Sequence, residues 1–170
     1  MKFLKVATIL VLTSCFLNAG GFDYIDKTNS KVLKSYKEKL ETMLEPTDDP
    51  MVNRGRDYEL ENQTFPEIAD ELTLVDDTEG LVVFIDILKD YGKPDDRIAS
   101  LLLYKALSNQ AINCVKTLQK EMNIDFKTFV MDDTAVLEPG SVQNYIKNKK
   151  LSKEMLDVLK IWAQSGIISS

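Results

Sequence analysis

Residues 100–126 read SLLLYKALSNQAINCVKTLQKEMNIDF, and this stretch decides the fold. It divides into two short helices back to back. The first carries Leu101, Leu102 and Ala106 on one side. The second carries Ala111, Val115, Leu118 and Met122, a stripe that a single helix face requires. Ser108 and Asn109 break the two and are expected to cap the second. A helical hairpin of this size cannot bury both of its faces alone, so it needs similar hairpins stacked against it.

Working outward, the same 3.6-residue period recurs on both sides. Residues 30–44 place Leu33, Tyr36, Leu40 and Met43 on one face, with Ser30 as cap and Pro46 beyond the end. Residues 66–75 align Ile68, Leu72 and Val75 behind Pro66. Residues 79–91 carry Leu81, Phe84, Ile85 and Leu88 and stop at Gly92 and Pro94. Ser141 and Ser152 cap two further helices, the last running over 153–164 with Met155, Val158, Leu159 and Trp162 inward. Between 45 and 64 no apolar period survives, which predicts a polar loop or connector. Residues 125–133, DFKTFVMDD, read as a looping connection pinned by Phe126 and Phe129. The expected fold is all-α, with no strand.

Residues 1–19 have the pattern of a secretory leader. Lys2 and Lys5 precede an apolar run over 6–12, too short to span a membrane, and small residues follow. Two endings compete: ordinary cleavage after Ala19, or a lipobox, Leu12-Thr13-Ser14-Cys15, which would make Cys15 a lipidated first residue. The expected organisation is therefore a leader over 1–19, a helix and polar loop over 20–65, and a helical-repeat domain over 66–170.

The whole chain of 170 residues carries a formal charge of −6, which speaks against a nucleic-acid binder and suits a partner with a basic surface. Without the leader the charge is −8 and Cys114 is the only remaining cysteine, so no intrachain disulfide is available. Cys114 beside the apolar stripe reads as a small buried hydrophobe. There is no histidine, which removes imidazole catalysis and the usual zinc sets. Nor is there a Cys-x-x-Cys, a phosphate-binding glycine loop or a nucleophile elbow. Four Asp-Asp pairs stand at 48–49, 76–77, 95–96 and 132–133. Paired carboxylates can bind calcium or share a proton, but three of these pairs precede predicted helices, where Asp caps free amides. Neither cofactor nor metal is expected.

The order of helix, tight turn, helix and looping connector resembles a divergent ankyrin-repeat protein. Ser100-Leu101-Leu102 with Ala106 is similar to the first-helix motif of that family, and Val115, Leu118 and Met122-Asn123-Ile124-Asp125 to the close of its second helix. Thr134-Ala135-Val136-Leu137 resembles the first motif again, and Val158-Leu159 with Gly166-Ile167 the close. No intact Thr-Pro-Leu-His occurs, and an insertion over 139–150 is needed to keep the repeat length. The resemblance covers about 79–168. It implies stacked helical hairpins, a protein-binding surface on connecting loops and no catalytic residues. The expected contact residues are Asp95, Asp96, Phe129, Met131, Asp132 and Asp133. The function expected is a non-enzymatic binding module exported to a bacterial envelope, in its sharpest form an immunity protein that blocks a periplasmic toxin. The alternatives are a structural or assembly lipoprotein anchored at Cys15, and a carboxylate- or metal-dependent hydrolase.

Overall fold

The computed structural model describes residues 23–132, 140–147 and 149–159. These are mostly helical: α1 Asp23–Lys27, α2 Lys31–Leu44, α3 Pro50–Glu59, a π-helical turn Leu60–Thr64, α4 Phe65–Leu74, α5 Thr78–Asp90, α6 Asp95–Ser108, α7 Ile112–Glu121, α8 Val142–Lys147 and α9 Lys153–Leu159. Two two-residue strands interrupt the series, β1 Val130–Met131 and β2 Gly140–Ser141, paired antiparallel with Val130 opposite Ser141.

The stretch expected as a polar loop over 45–64 is instead largely helical. Asp49 caps α3 by accepting from the Met51 amide at 2.8 Å, and Pro50 occupies the first turn, where its missing N–H costs nothing. No residue of α3 is buried, so the helix leaves no apolar period for a sequence reading to find. Polar links hold it instead. Arg56 Nη1 donates to the Glu45 carbonyl at 2.7 Å, Tyr91 OH donates to Asp57 at 3.1 Å, and Lys39 pairs with Glu59 at 3.4 Å. The π turn then swings the chain so that Leu60 and Thr64 go fully inside.

The core is continuous from Ile25 to Leu159. Phe65 stands at its centre, edge-on to Phe84 at 6.0 Å between ring centroids and to Tyr91 at 5.1 Å. The expected apolar anchors Leu88, Leu118 and Leu159 are all buried. Helix α4 lies against α6, α5 against α7, and α7 against α9. The hairpins α4–α5 and α6–α7 therefore lie one on the next.

Four successive helices end alike. After α4, α5, α6 and α7 the chain turns through a left-handed residue, Asp76 (φ 52°), Gly92 (φ 89°), Gln110 (φ 53°) and Asn123 (φ 51°). In each case the following amide reaches back five residues, as from Asp77 to the Leu72 carbonyl and from Ala111 to the Ala106 carbonyl, which satisfies carbonyls that a helix end leaves unpaired. Two of the four positions hold residues that announce such a turn, Gly92 and Asn123. Asp76 and Gln110 do not, and both use their side chains for a second purpose. The Asp76 carboxylate accepts from Asn113 N at 3.2 Å, Asn113 Nδ2 at 2.8 Å and Cys114 N at 2.8 Å. Gln110 Oε1 accepts from the Ser152 amide at 3.0 Å, just ahead of α9. The turn between α1 and α2 is tied in the same manner: Asn29 N donates to Glu79 Oε1 at 2.8 Å in the first turn of α5. That bond holds the Glu79 carboxyl below its ordinary range.

The cap of α7 thus differs from the expected one. Ala111 precedes the helix and has no capping side chain. Asn109 faces the other way, donating to the Asp70 carbonyl, its carboxylate and Thr73 Oγ1. The acceptor for the α7 amides comes from Asp76, in the preceding hairpin, because α7 begins directly beneath that turn. The caps expected at Ser30, Ser141 and Ser152 are present.

Candidate binding groove

A groove of about 440 Å³ opens where the start of α6 faces the connector after α7. The first wall follows from how α6 begins. Pro94 sits at its N-cap with extended backbone and offers no capping side chain. Asp95 and Asp96 then fill the first turn, where the helix dipole favours negative charge. Asp96 Oδ1 accepts from the Arg97 amide at 2.9 Å, and Asp95 is exposed and makes no such bond among the described residues. One turn on, Ala99 is buried and gives an apolar patch at the groove bottom.

The second wall is the connector. Asn123 reverses the chain, Ile124 and Phe126 are drawn into the core, and Asp125 organises the turn between and beyond them. Its side chain accepts from Lys127 N at 3.1 Å and Thr128 Oγ1 at 3.1 Å, and its carbonyl accepts from Phe129 N at 2.8 Å. This Asx-type turn brings Phe129, half-buried against the core, alongside Ile124. The result is an apolar floor of Ala99, Ile124 and Phe129 beneath three carboxylates, Asp95, Asp96 and Asp125. Among the described residues no Lys or Arg forms an ion pair with any of the three.

Of the contact residues expected from sequence, Asp95, Asp96 and Phe129 meet in this groove. Met131 does not. It is 1% exposed, and its neighbour Val130 is 62% exposed. The reason is the short β1–β2 pairing: successive side chains of a strand face opposite sides, and here the inward place falls to Met131. Met131 is therefore a core residue rather than an exposed anchor. Asp132 lies outside the groove lining. Its amide donates to the buried Ser100 Oγ at 2.9 Å and its carboxylate is 3.9 Å from Arg97 Nε. Asp133 and Cys15 lie outside the described residues. Sequence reasoning missed Asp125, Ile124 and Ala99. Asp125 lacks the doubling that drew attention to the other pairs, Ile124 and Asp125 stood out only as the close of a helix motif and not as contact residues, and Ala99 belongs to no motif.

The remaining acidic pairs have capping duties. Asp49 caps α3, Asp77 caps α5 through Gly80 N at 2.9 Å, and Asp76 caps α7. Cys114 is buried, and burial followed by the neighbouring Asp76 carboxylate pushes its thiol pKa well above the ordinary value, so it is a poor nucleophile. Among the described residues there is no group of three or more Cys, Asp or Glu that could hold a metal ion, and no helix long and apolar enough to cross a membrane. No protein-family model matches the chain, and no curated protein or solved structure is significantly similar to it.

Proposed function

We propose that the chain is a non-enzymatic protein-binding module of a bacterial envelope, which holds a basic-surfaced partner at the groove between α6 and the α7–β1 connector. The observation that carries this reading is the groove itself: three carboxylates, with no ion pair to a cation among the described residues, line it together with apolar side chains. Apolar contact at the floor would supply affinity, and the rim charges would speed encounter and fix orientation. The hairpins would continue as an ankyrin-like stack. Support for that comes from the recurring ties between one hairpin turn and the next, at Asn29–Glu79, Asp76–Asn113 and Gln110–Ser152. No cofactor, metal or nucleic acid enters this reading. An immunity protein that blocks a periplasmic toxin is its sharpest form, since a soluble acidic domain that masks a basic surface needs no chemistry of its own.

Immobilised protein incubated with envelope extract should retain a partner at physiological salt. The triple variant Asp95→Asn, Asp96→Asn, Phe129→Ser should retain at least about tenfold less, as expected for loss of an anchor and its charged rim. The variant must melt within a few degrees of the parent. Equal retention by parent and variant would remove the groove as the binding site.

Export rests on the leader over 1–19. Mass spectrometry of the protein recovered from cells should find a chain beginning at Gly20, or at Cys15 with attached lipid. The second result would favour the alternative of an anchored structural or assembly lipoprotein. A chain recovered with residues 1–19 intact would sink the export proposal.

A further inference from the structure

We propose that the groove is a socket for an arginine- or lysine-bearing extended segment, whose alkyl stem lies along Ala99, Ile124 and Phe129 and whose cationic head sits among Asp95, Asp96 and Asp125. This rests on the proposed binding role of the same groove and narrows it to one chemistry of occupant.

The arrangement is amphipathic in the way a long basic side chain is amphipathic. Such side chains lay apolar stems on apolar surface and keep the charged head at a polar rim. The groove offers both halves in that order, an apolar floor and a carboxylate rim. Its volume of about 440 Å³ exceeds what one side chain fills, so neighbouring residues of the segment share it. Charge decides the sign of the occupant. The start of α6 contributes roughly half a positive charge from the helix dipole. Asp95 and Asp96 in its first turn outweigh that, and Asp125 adds to the excess from the other wall. Some acids elsewhere are paired, Asp26 with Lys37, Glu59 with Lys39, Glu61 with Lys93 and Asp70 with Lys105, but what sets the groove apart is that three carboxylates line one apolar cleft. Arg97, the cation nearest in sequence to the rim, is turned towards Asp132, and Lys127 of the connector does not line the groove.

A divalent cation fits less well. It would need about six oxygens around one point, whereas Asp96 and Asp125 already accept from amides of their own turns. An arginine fork or an ammonium group needs only one free lone pair from each carboxylate.

The test uses the isotopically labelled full chain and three synthetic peptides of one sequence, Gly-Leu-X-Leu-Gly, in which X is arginine, its neutral isostere citrulline, or glutamate. With arginine at X, the amide resonances of Ala99, Ile124 and Phe129 should shift, and the affinity should exceed that for citrulline by about tenfold. The glutamate peptide should produce no shift there. In the variant Asp95→Asn, Asp96→Asn, Asp125→Asn, whose fold is checked by its spectrum, the preference for arginine over citrulline should fall to near unity. Equal shifts from all three peptides would overturn the cationic occupant and leave the groove as a binding site. Shifts at Ala99 and Phe129 that appear on concentrating the protein alone, together with shifts at Lys147, Lys150 and Lys153, would identify a second copy as the occupant and overturn the foreign segment. No shift from any peptide at millimolar concentration would overturn both this inference and the binding role of the groove.

Discussion

Replacing Gly80 by alanine is expected to destabilise the protein by about 2–4 kcal/mol, against the rule that alanine is the better helix former. Gly80 lies in the first turn of α5, where the N-termini of α2 and α5 meet the side of α4. A Cβ there would stand 2.5 Å from Ser30 Oγ, 2.6 Å from Leu72 Cδ2 and 2.8 Å from Asp77 Oδ2. Two of these atoms belong to caps, since Ser30 Oγ accepts from Leu33 N and the Asp77 carboxylate from Gly80 N. Relieving the contact therefore disturbs two helix starts, each worth about 1 kcal/mol, in addition to the overpacking of Leu72. Gly55 is the matched control. It lies in exposed α3, has a helical φ and would place a Cβ in open space. Gly55→Ala should stabilise by about 0.5–1 kcal/mol. Urea denaturation of the two variants checks both signs. A Gly80→Ala protein as stable as the parent would mean that the three helices do not meet so closely.

The second large effect is expected at Asp76. Its carboxylate serves two backbone amides and one side chain at the start of α7 while its own backbone holds the left-handed turn after α4. Asp76→Ala removes an ionised acceptor from those donors, about 1.5–3 kcal/mol. It also puts a residue without a local hydrogen-bonding side chain at φ 52°, about 1 kcal/mol more. The total expected loss is about 2.5–4 kcal/mol. Asp76→Gly separates the two contributions, because glycine accepts the backbone and still lacks the acceptor, so it should cost about 1 kcal/mol less than alanine. Cys114 reports the mechanism. Its amide is one of the capped groups and its thiol is buried. Fraying of the first turn of α7 should speed labelling of Cys114 by a thiol reagent in the alanine and glycine variants alike. If stability changed by under about 0.5 kcal/mol and labelling kept its parental rate, Asp76 would not be the cap of α7.

Both positions show where reading the chain by itself ends. Apolar periodicity identified α2, α4, α5 and α7 and the buried stripes of Leu33 and Leu40, Ile68 and Leu72, Phe84 and Leu88, Val115 and Leu118. That information is local: a helix that buries one face must repeat apolar residues along it. The ends marked by Gly92, Ser30 and Ser152 were legible for the same reason, because the backbone freedom of the glycine and the two serine hydroxyls act on the local chain. Helix α3 was not legible. Its stability comes from Asp49, Pro50 and polar links to Glu45, Lys39 and Tyr91, and such links leave no period.

The groove was half legible. Asp95, Asp96 and Phe129 stood out as acidic and aromatic residues in connectors. Met131 looked equivalent to Phe129, and only the pairing of Val130 with Ser141 turned it inward. Asp125 joined the rim because the turn after α7 places it opposite the start of α6, some thirty residues earlier in the chain. Sequence alone determined the helical class and most of the inward faces, since burial is written in each segment's own spacing. Tertiary structure alone decided which hairpin turn caps which neighbouring helix, where a glycine must stay small and which carboxylates share a groove. Those outcomes depend on atoms distant in the chain coming within about 3 Å of each other, and hydrogen bonds and steric contact act only at that range.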